Sequence, residues 1–195
     1  MDIILASGSP RRRQLLEQVG IRDFKVVSSD VDETVAPGLP PAQVVEELSR
    51  RKADAVAAKA RPGDLVLAAD TIVSLEDAIL GKPADELEAF RMLTALSGVR
   101  HQVYTGVTLL RDGRAVTEHE VTTVSFRELS GEEISAYIAT GEPMDKAGAY
   151  GIQGRGALLV QRVEGDYFNV MGLPLCHLGR MLRSFGVEPL TLTAE

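Results

Sequence analysis

Four apolar residues, Ile3 to Ala6, break into Ser7-Gly8-Ser9 and then Pro10. This junction constrains the fold more than any other segment. The apolar run reads as a short buried strand and the small residues as a turn. Pro10 suits the first position of a helix, where its missing N–H would be unpaired anyway, and Ser9 suits the N-cap before it. Arg11, Arg12 and Arg13 follow inside the first turn, where the partial positive charge of a helix terminus favours anions over cations. Free backbone N–H groups, the hydroxyls of Ser7 and Ser9, and guanidiniums meeting at one point would form a phosphate cradle. A capped surface helix with solvated arginines satisfies the same spacing. Successive helical residues lie about 100° apart, so three arginines cannot all face one ligand. Arg13 is expected to point outward.

Strands and helices alternate along the rest of the chain. The first helix is expected from Pro10 to Val19, stopping at Gly20. A second strand spans about 24–28 and leads into the acidic loop Asp30-Val31-Asp32-Glu33. Pro40 and Pro41 start a long helix that ends before Pro62-Gly63. Leu65 to Ala69 has no polar face and reads as a buried strand ending on Asp70-Thr71. Ile72–Leu75 and Ile79–Leu80 form a hairpin around Glu76-Asp77, and Gly81-Lys82-Pro83 turns into a helix through about Leu96, with Gly98 after its end. Tyr104–Leu110 and Ala115–Phe126 flank Asp112-Gly113, a strong hairpin signal. Ser130-Gly131-Glu132-Glu133 is a capping box for a short helix closed by Gly141. Residues 142–156 are too rich in glycine for the interior of an element and read as a loop held in a fixed shape. A last hairpin is expected around Gly165-Asp166, then a helix from Pro174 to Gly186. The chain shows no repeats, low-complexity segments or clear domain linker.

Composition narrows the partners. With 195 residues, 28 acidic against 21 basic, the chain carries a net charge of −7. That argues against a nucleic-acid polymer, whose binding leans on a basic surface, but leaves room for a small anion in a local basic pocket. No tryptophan and few aromatics offer little surface for base stacking along a strand. The single cysteine, Cys176, forms no internal disulfide and fits a reducing cytoplasm. There is no signal-peptide core and no apolar run of membrane-spanning length. His101, His119 and His177 share no metal-ligand spacing, so zinc is not expected. Nor is there a nucleophile elbow or a Walker loop.

Several residues carry chemistry when taken together. Asp70, expected at the carboxyl end of a buried strand, would sit where open α/β sheets place ligands. Flanked by apolar residues, its charge is costly unless a metal or cation answers it; a turn cap or a structural pair with an arginine satisfies the same pattern. Asp32 and Glu33 offer a second acidic point: carboxylates from separate loops are a usual way to hold Mg²⁺ or Mn²⁺ beside phosphates, and a solvated acidic loop has the same spacing. Lys52 falls on the apolar stripe of the long helix, with Val45, Leu48 and Val56. There it either snorkels past the edge or meets a buried anion. Lys82 sits at a turn close in sequence to Asp70. Lys146, Tyr150 and Gln153 lie in the glycine-rich loop, whose backbone N–H groups could wrap a ligand.

These residues resemble the Maf family, nucleoside triphosphate pyrophosphatases once described as septum-formation inhibitors. The matching motifs are Ala6-Ser-Gly-Ser-Pro-Arg-Arg12, Ala69-Asp-Thr71, Gly81-Lys-Pro83, Gly141-Glu-Pro143 with Asp145-Lys-Ala-Gly-Ala-Tyr-Gly-Ile-Gln-Gly154, and Asn169-Val-Met-Gly-Leu-Pro174. Gly81 stands where many relatives carry another residue. The resemblance implies a single Maf-like domain over residues 1–195 of α/β class, with a mixed twisted sheet flanked by helices as in Maf and ITPase folds. It implies a cytoplasmic homodimer without membrane attachment, acting as a house-cleaning hydrolase on nucleoside triphosphates with a divalent cation (Mg²⁺, Mn²⁺ or Co²⁺).

By the same resemblance, Asp70 is the catalytic base, and Glu33 shares the metal with it. Arg12, Lys52 and Lys82 hold the phosphates, and Ser7, Ser9 and Lys146 line the substrate. Arg11, Thr71 and Gln153 mark the branch acting on dTTP and UTP rather than 7-methyl-GTP. Two other readings remain: a pyrophosphatase for 7-methyl-GTP or another modified nucleotide, and a nucleotide-binding cell-division regulator without turnover.

Overall fold

The computed structural model describes residues 2–76 and 78–191. Asp77, in the turn expected at Glu76-Asp77, lies outside the described residues. The strands are β1 (Ile3–Leu5), β2 (Phe24–Val26), β3 (Leu65–Leu75), β4 (Ala78–Leu80), β5 (Arg100–Arg111), β6 (Arg114–Phe126) and β7 (Val160–Glu164). The α-helices are α1 (Pro10–Gln18), α2 (Pro41–Ala57), α3 (Glu86–Leu96), α4 (Gly131–Ile138), α5 (Tyr167–Met171) and α6 (Leu175–Ser184). Strand order in the sheet is β2-β1-β3-β5-β6-β7, with β4 also beside β3. β1 runs parallel to β2 and β3, while β4 is antiparallel to β3 and β7 to β6. The expected α/β class with a mixed sheet is the one observed.

The chain divides into two compact units: Met1–Asp70 with Thr105–Glu120 and Gly172–Glu195, and Thr71–Tyr104 with Val121–Met171. In the first, β1 pairs Ile3 with Leu65 and Leu5 with Leu67. All of β1 and the Leu65–Ala69 stretch of β3 are apolar, because a parallel strand between neighbours has no solvated face. One face of α2, through Ala53 and Val56, packs on Ile4, Ala6, Val66 and Ala68. The approach of α2 to β5 is closer than any side chain allows: a Cβ on Gly106 would fall inside the Val45 carbonyl group. Asp112 (φ 50°) and Gly113 (φ 80°) both take left-handed backbone between β5 and β6. That is the conformation of a tight two-residue hairpin turn, as the dipeptide foretold.

In the second unit, Ala89, Leu93 and Leu96 of α3 pack with Val73, Val103, Val124 and Phe126 and with Ile134, Tyr137 and Ile138 of α4. The Ser130 capping box is formed in full. The glycine-rich loop makes three short 3₁₀ turns, Glu142–Asp145, Ala147–Ala149 and Gly154–Leu158.

Some expectations need correction. β3 does not end at Asp70 but runs on to Leu75; the burial of Ile72 and Val73 continues the strand past a charge that is answered in place. α3 begins at Glu86, capped by Asp85, and not directly after Pro83. β2 stops at Val26. No hairpin forms at Gly165-Asp166. Instead β7 pairs back onto β6, and Asp166 Oδ1 accepts the Phe168 amide at 2.7 Å, turning the chain into α5.

Candidate active site

α2 delivers Lys52 to two carboxylates. Its Nζ lies 2.6 Å from Asp70 Oδ1 and 2.7 Å from Glu33 Oε1. Asp70 is only 8% exposed as a residue, and the Lys52 side chain 11%, whereas Glu33 is 61% exposed on the loop before α2. Of the two readings of Lys52, the lysine meets anions and does not snorkel to solvent. The geometry follows from the sequence pattern. Lys52 occupies the apolar stripe of α2, that stripe lies on the sheet, and a cation there must be matched by a buried anion.

The junction after β1 supplies the second cation. Arg12 Nε donates to Gly172 O at 2.7 Å, and its Nη1 donates to Ser7 Oγ at 3.1 Å. Withdrawal from water lowers the Arg12 pKa from its ordinary value, and the neighbouring charge of Arg11 adds to this; Asp70 and Glu33 pull it back up. Arg12 therefore lies in the field of the carboxylates bound by Lys52. Ser7 is buried, and its Oγ accepts the Ser9 amide at 3.2 Å. Ser9 occupies the N-cap of α1 as expected, but its hydroxyl makes no capping bond. Arg13 points away and pairs with Glu17 at 3.2 Å. Arg12 and Arg13 thus diverge as helical geometry requires.

A residue not singled out from the sequence holds the acidic loop. Arg51 Nη1 donates to Thr34 O at 2.7 Å and Asp32 O at 3.1 Å, the carbonyls on either side of Glu33. Its other terminal nitrogen pairs with Glu47 one turn earlier. Asp32 is turned inward on its own loop, accepting the Thr34 amide at 2.8 Å. By spacing, Arg51 reads as an ordinary i, i+4 surface pair; nothing in the sequence marks its second grip.

The remaining candidates belong to the second unit. Thr71 follows Asp70 in β3 and is half-buried; Lys82 and Gln153 are exposed. Lys146 Nζ donates to Glu142 O at 2.6 Å and to Asp145 Oδ1 at 2.5 Å. The structure thus gathers Asp70, Glu33, Lys52, Arg12 and Ser7 within the first unit.

Among the described residues, no three His, Cys, Asp or Glu side chains form a group that could hold a metal. Asp70 and Glu33 nevertheless bring hard oxygen donors to one cationic point. That set suits Mg²⁺ or a similar ion, which takes one or two carboxylates and completes its shell with phosphate oxygens and water.

Residues 2–185 match the family of Maf-like proteins. The chain belongs to the Maf family. This Maf chain is 50% identical over 186 residues to a Bacillus cereus (strain ZK / E33L) protein named dTTP/UTP pyrophosphatase, covering 95% of this chain and 96% of that protein. A second protein of the same name, from Bacillus cereus (strain ATCC 10987 / NRS 248), is 51% identical over 95% of this chain and 91% of its own length. The solved structure of a HAM1 protein from Coxiella burnetii shares the Maf chain's fold with a TM-score of 0.52 and 17% identity, covering 94% of this chain and 99% of that one. No helix among the described residues is long and apolar enough to cross a membrane.

Proposed function

We propose that this Maf protein is a nucleoside triphosphate pyrophosphatase that hydrolyses dTTP and UTP to the monophosphate and pyrophosphate. The observation that carries the reading is the Lys52 ammonium between Asp70 and Glu33, in the field of Arg12. Relatives at half identity over nearly the whole chain bear that activity in their names.

In this reading a water oxygen attacks the α-phosphorus and the bridging α–β P–O bond breaks. Asp70 takes the proton from the attacking water, and pyrophosphate leaves with the bridging oxygen. Arg12, Lys52 and Lys82 oppose the charge of the phosphates, and Ser7, Ser9 and Lys146 help to hold them. A divalent cation (Mg²⁺, Mn²⁺ or Co²⁺) shared by Asp70 and Glu33 would supply further charge neutralisation and a more acidic water. Most of the acceleration then comes from positioning and electrostatics, as in other phosphoryl transfers.

Arg11, Thr71 and Gln153 choose the nucleotide in this scheme. A site built around hydrogen bonds to a base edge rejects analogues that leave those groups unpaired. The setting is cytoplasmic, which the lone free cysteine supports, and the family resemblance supports a homodimer, which sedimentation would test.

The test is a panel of normal and modified triphosphates with each metal, scoring pyrophosphate against orthophosphate. Release of pyrophosphate from dTTP and UTP is the expected result. A preference for 7-methyl-GTP, or tight binding with no product, would overturn it.

A further inference from the structure

Two residues outside this scheme hold the backbone on both sides of Gln153. Glu142 Oε1 accepts the Tyr137 hydroxyl at 3.0 Å and the Gly156 amide at 3.1 Å, while its Oε2 accepts the Arg155 amide at 3.0 Å. Tyr137 Oη in turn accepts the Gly151 amide at 3.2 Å. One hydroxyl and one carboxylate therefore fasten residue 151 on one side and residues 155 and 156 on the other, with Gln153 between them.

The loop is shaped around this pair. Gly154 has φ 66°, and a Cβ there would lie 2.8 Å from Glu142 Oε2; a Cβ on Gly156 would collide with Gly151 O and lie 2.7 Å from Tyr137 Oη. Only glycine lets the backbone close so tightly on the two side chains. Burial pushes the Glu142 carboxyl up, yet the amides of Gly156 and Arg155, the Tyr137 hydroxyl and the charge of Lys146 outweigh it and hold the group below its ordinary range. The anion is the form these donors require. Tyr137 itself is buried on α4 among Phe126, Ile134 and Ile138, so the anchor is mounted on a packed helix.

We propose that Glu142 and Tyr137 are positioning residues that set base preference by holding Gln153 in place. The inference rests on the reading of Gln153 as a base-contacting residue. A glutamine on a free loop could turn its amide to suit several base edges. One whose flanking backbone is fixed presents its donor and acceptor in one direction, and discrimination follows from the pairings that direction forbids.

The test compares kcat/KM for dTTP with that for dCTP and dGTP in the intact protein and in Gln153→Ala, Glu142→Gln, Tyr137→Phe and the Tyr137→Phe/Gln153→Ala double variant. Gln153→Ala is expected to narrow the dTTP preference by roughly tenfold or more. Glu142→Gln and Tyr137→Phe should narrow it in the same direction. The double variant should discriminate no worse than Gln153→Ala alone, because residues acting through one group are not additive. Tyr137→Phe keeps the packed ring, so it carries the test if Glu142→Gln lowers the folded fraction. Glu142 and Tyr137 variants that slow every substrate equally, with the preference intact, would mean a purely structural anchor and overturn the proposal. An unchanged preference in Gln153→Ala would instead overturn the base-contacting role of Gln153, and the proposal with it.

Discussion

Lys52 and Asp70 form an ion pair 2.6 Å long in which each side chain is only 11% exposed. A pair so withdrawn from water is held by mutual compensation, and removing one member leaves the other charge stranded. The two members are not equivalent. Lys52 has Glu33 as a second partner at 2.7 Å, so it keeps a counter-ion when Asp70 is neutralised.

Lys52→Met is therefore expected to be the more damaging of the two to the fold. It takes away the hydrogen-bonded cation of Asp70 and leaves the field of Arg12 to compensate the buried charge, at a cost of about 3 kcal/mol, while Asp70→Asn costs less because Lys52 remains paired with Glu33. Urea unfolding of the two variants checks this order. Activity should rank differently. Asp70→Asn should lose turnover of dTTP by orders of magnitude with the fold intact, and near wild-type turnover would remove Asp70 from the role of base.

Arg51 reaches the carbonyls on either side of Glu33. Arg51→Ala should free that segment and reduce kcat several-fold. In a Glu33→Gln background the same change should do little more, since both act through one group. Steady-state kinetics of the four proteins decides; full additivity would show that Arg51 does not act through Glu33.

His101 should make the fold sensitive to mild acid. It is 2% exposed and hydrogen-bonded to Tyr150 Oη at 2.8 Å, and burial lowers its pKa to about 4. The unfolded chain takes up a proton near pH 6.5 and the folded chain does not until about pH 4. Stability from this group is thus fully present above pH 6.5 and is lost as the pH falls toward 4. The loss reaches about 3 kcal/mol, with none further below that. Urea unfolding between pH 4 and 8 should show the slope in the native protein and lack it in His101→Gln.

Gly106 is the point at which α2 touches β5. A methyl group there meets the backbone of Val45 and Glu46, which has no rotamer to yield. Gly106→Ala should cost about 3 kcal/mol or more by overpacking, seen as a lower urea midpoint. Because α2 also carries Lys52, turnover should fall with it.

Much of this was legible in the residue order. The strand, turn and proline-led helix at 3–18, the Asp112-Gly113 turn and the Ser130 capping box are local devices, each complete within a few residues, and all appear where their spacing puts them. The Maf motifs identify the family for a similar reason: they are short runs of defined residues in a defined order. The end expected for β3 at Asp70 was misplaced because a charge in an apolar run looks like a boundary. The cation that lets the strand continue comes from Lys52, eighteen residues away.

The grip of Arg51 on both sides of Glu33, the hold of Glu142 and Tyr137 around Gln153, and the Arg12 bond to Gly172, 160 residues away, leave no trace in local pattern. Each depends on where a side chain several bonds long meets a backbone group from another part of the chain. Periodicity reports which face a residue occupies. It carries no information about the partner across the gap, and at this site the partner determines the chemistry.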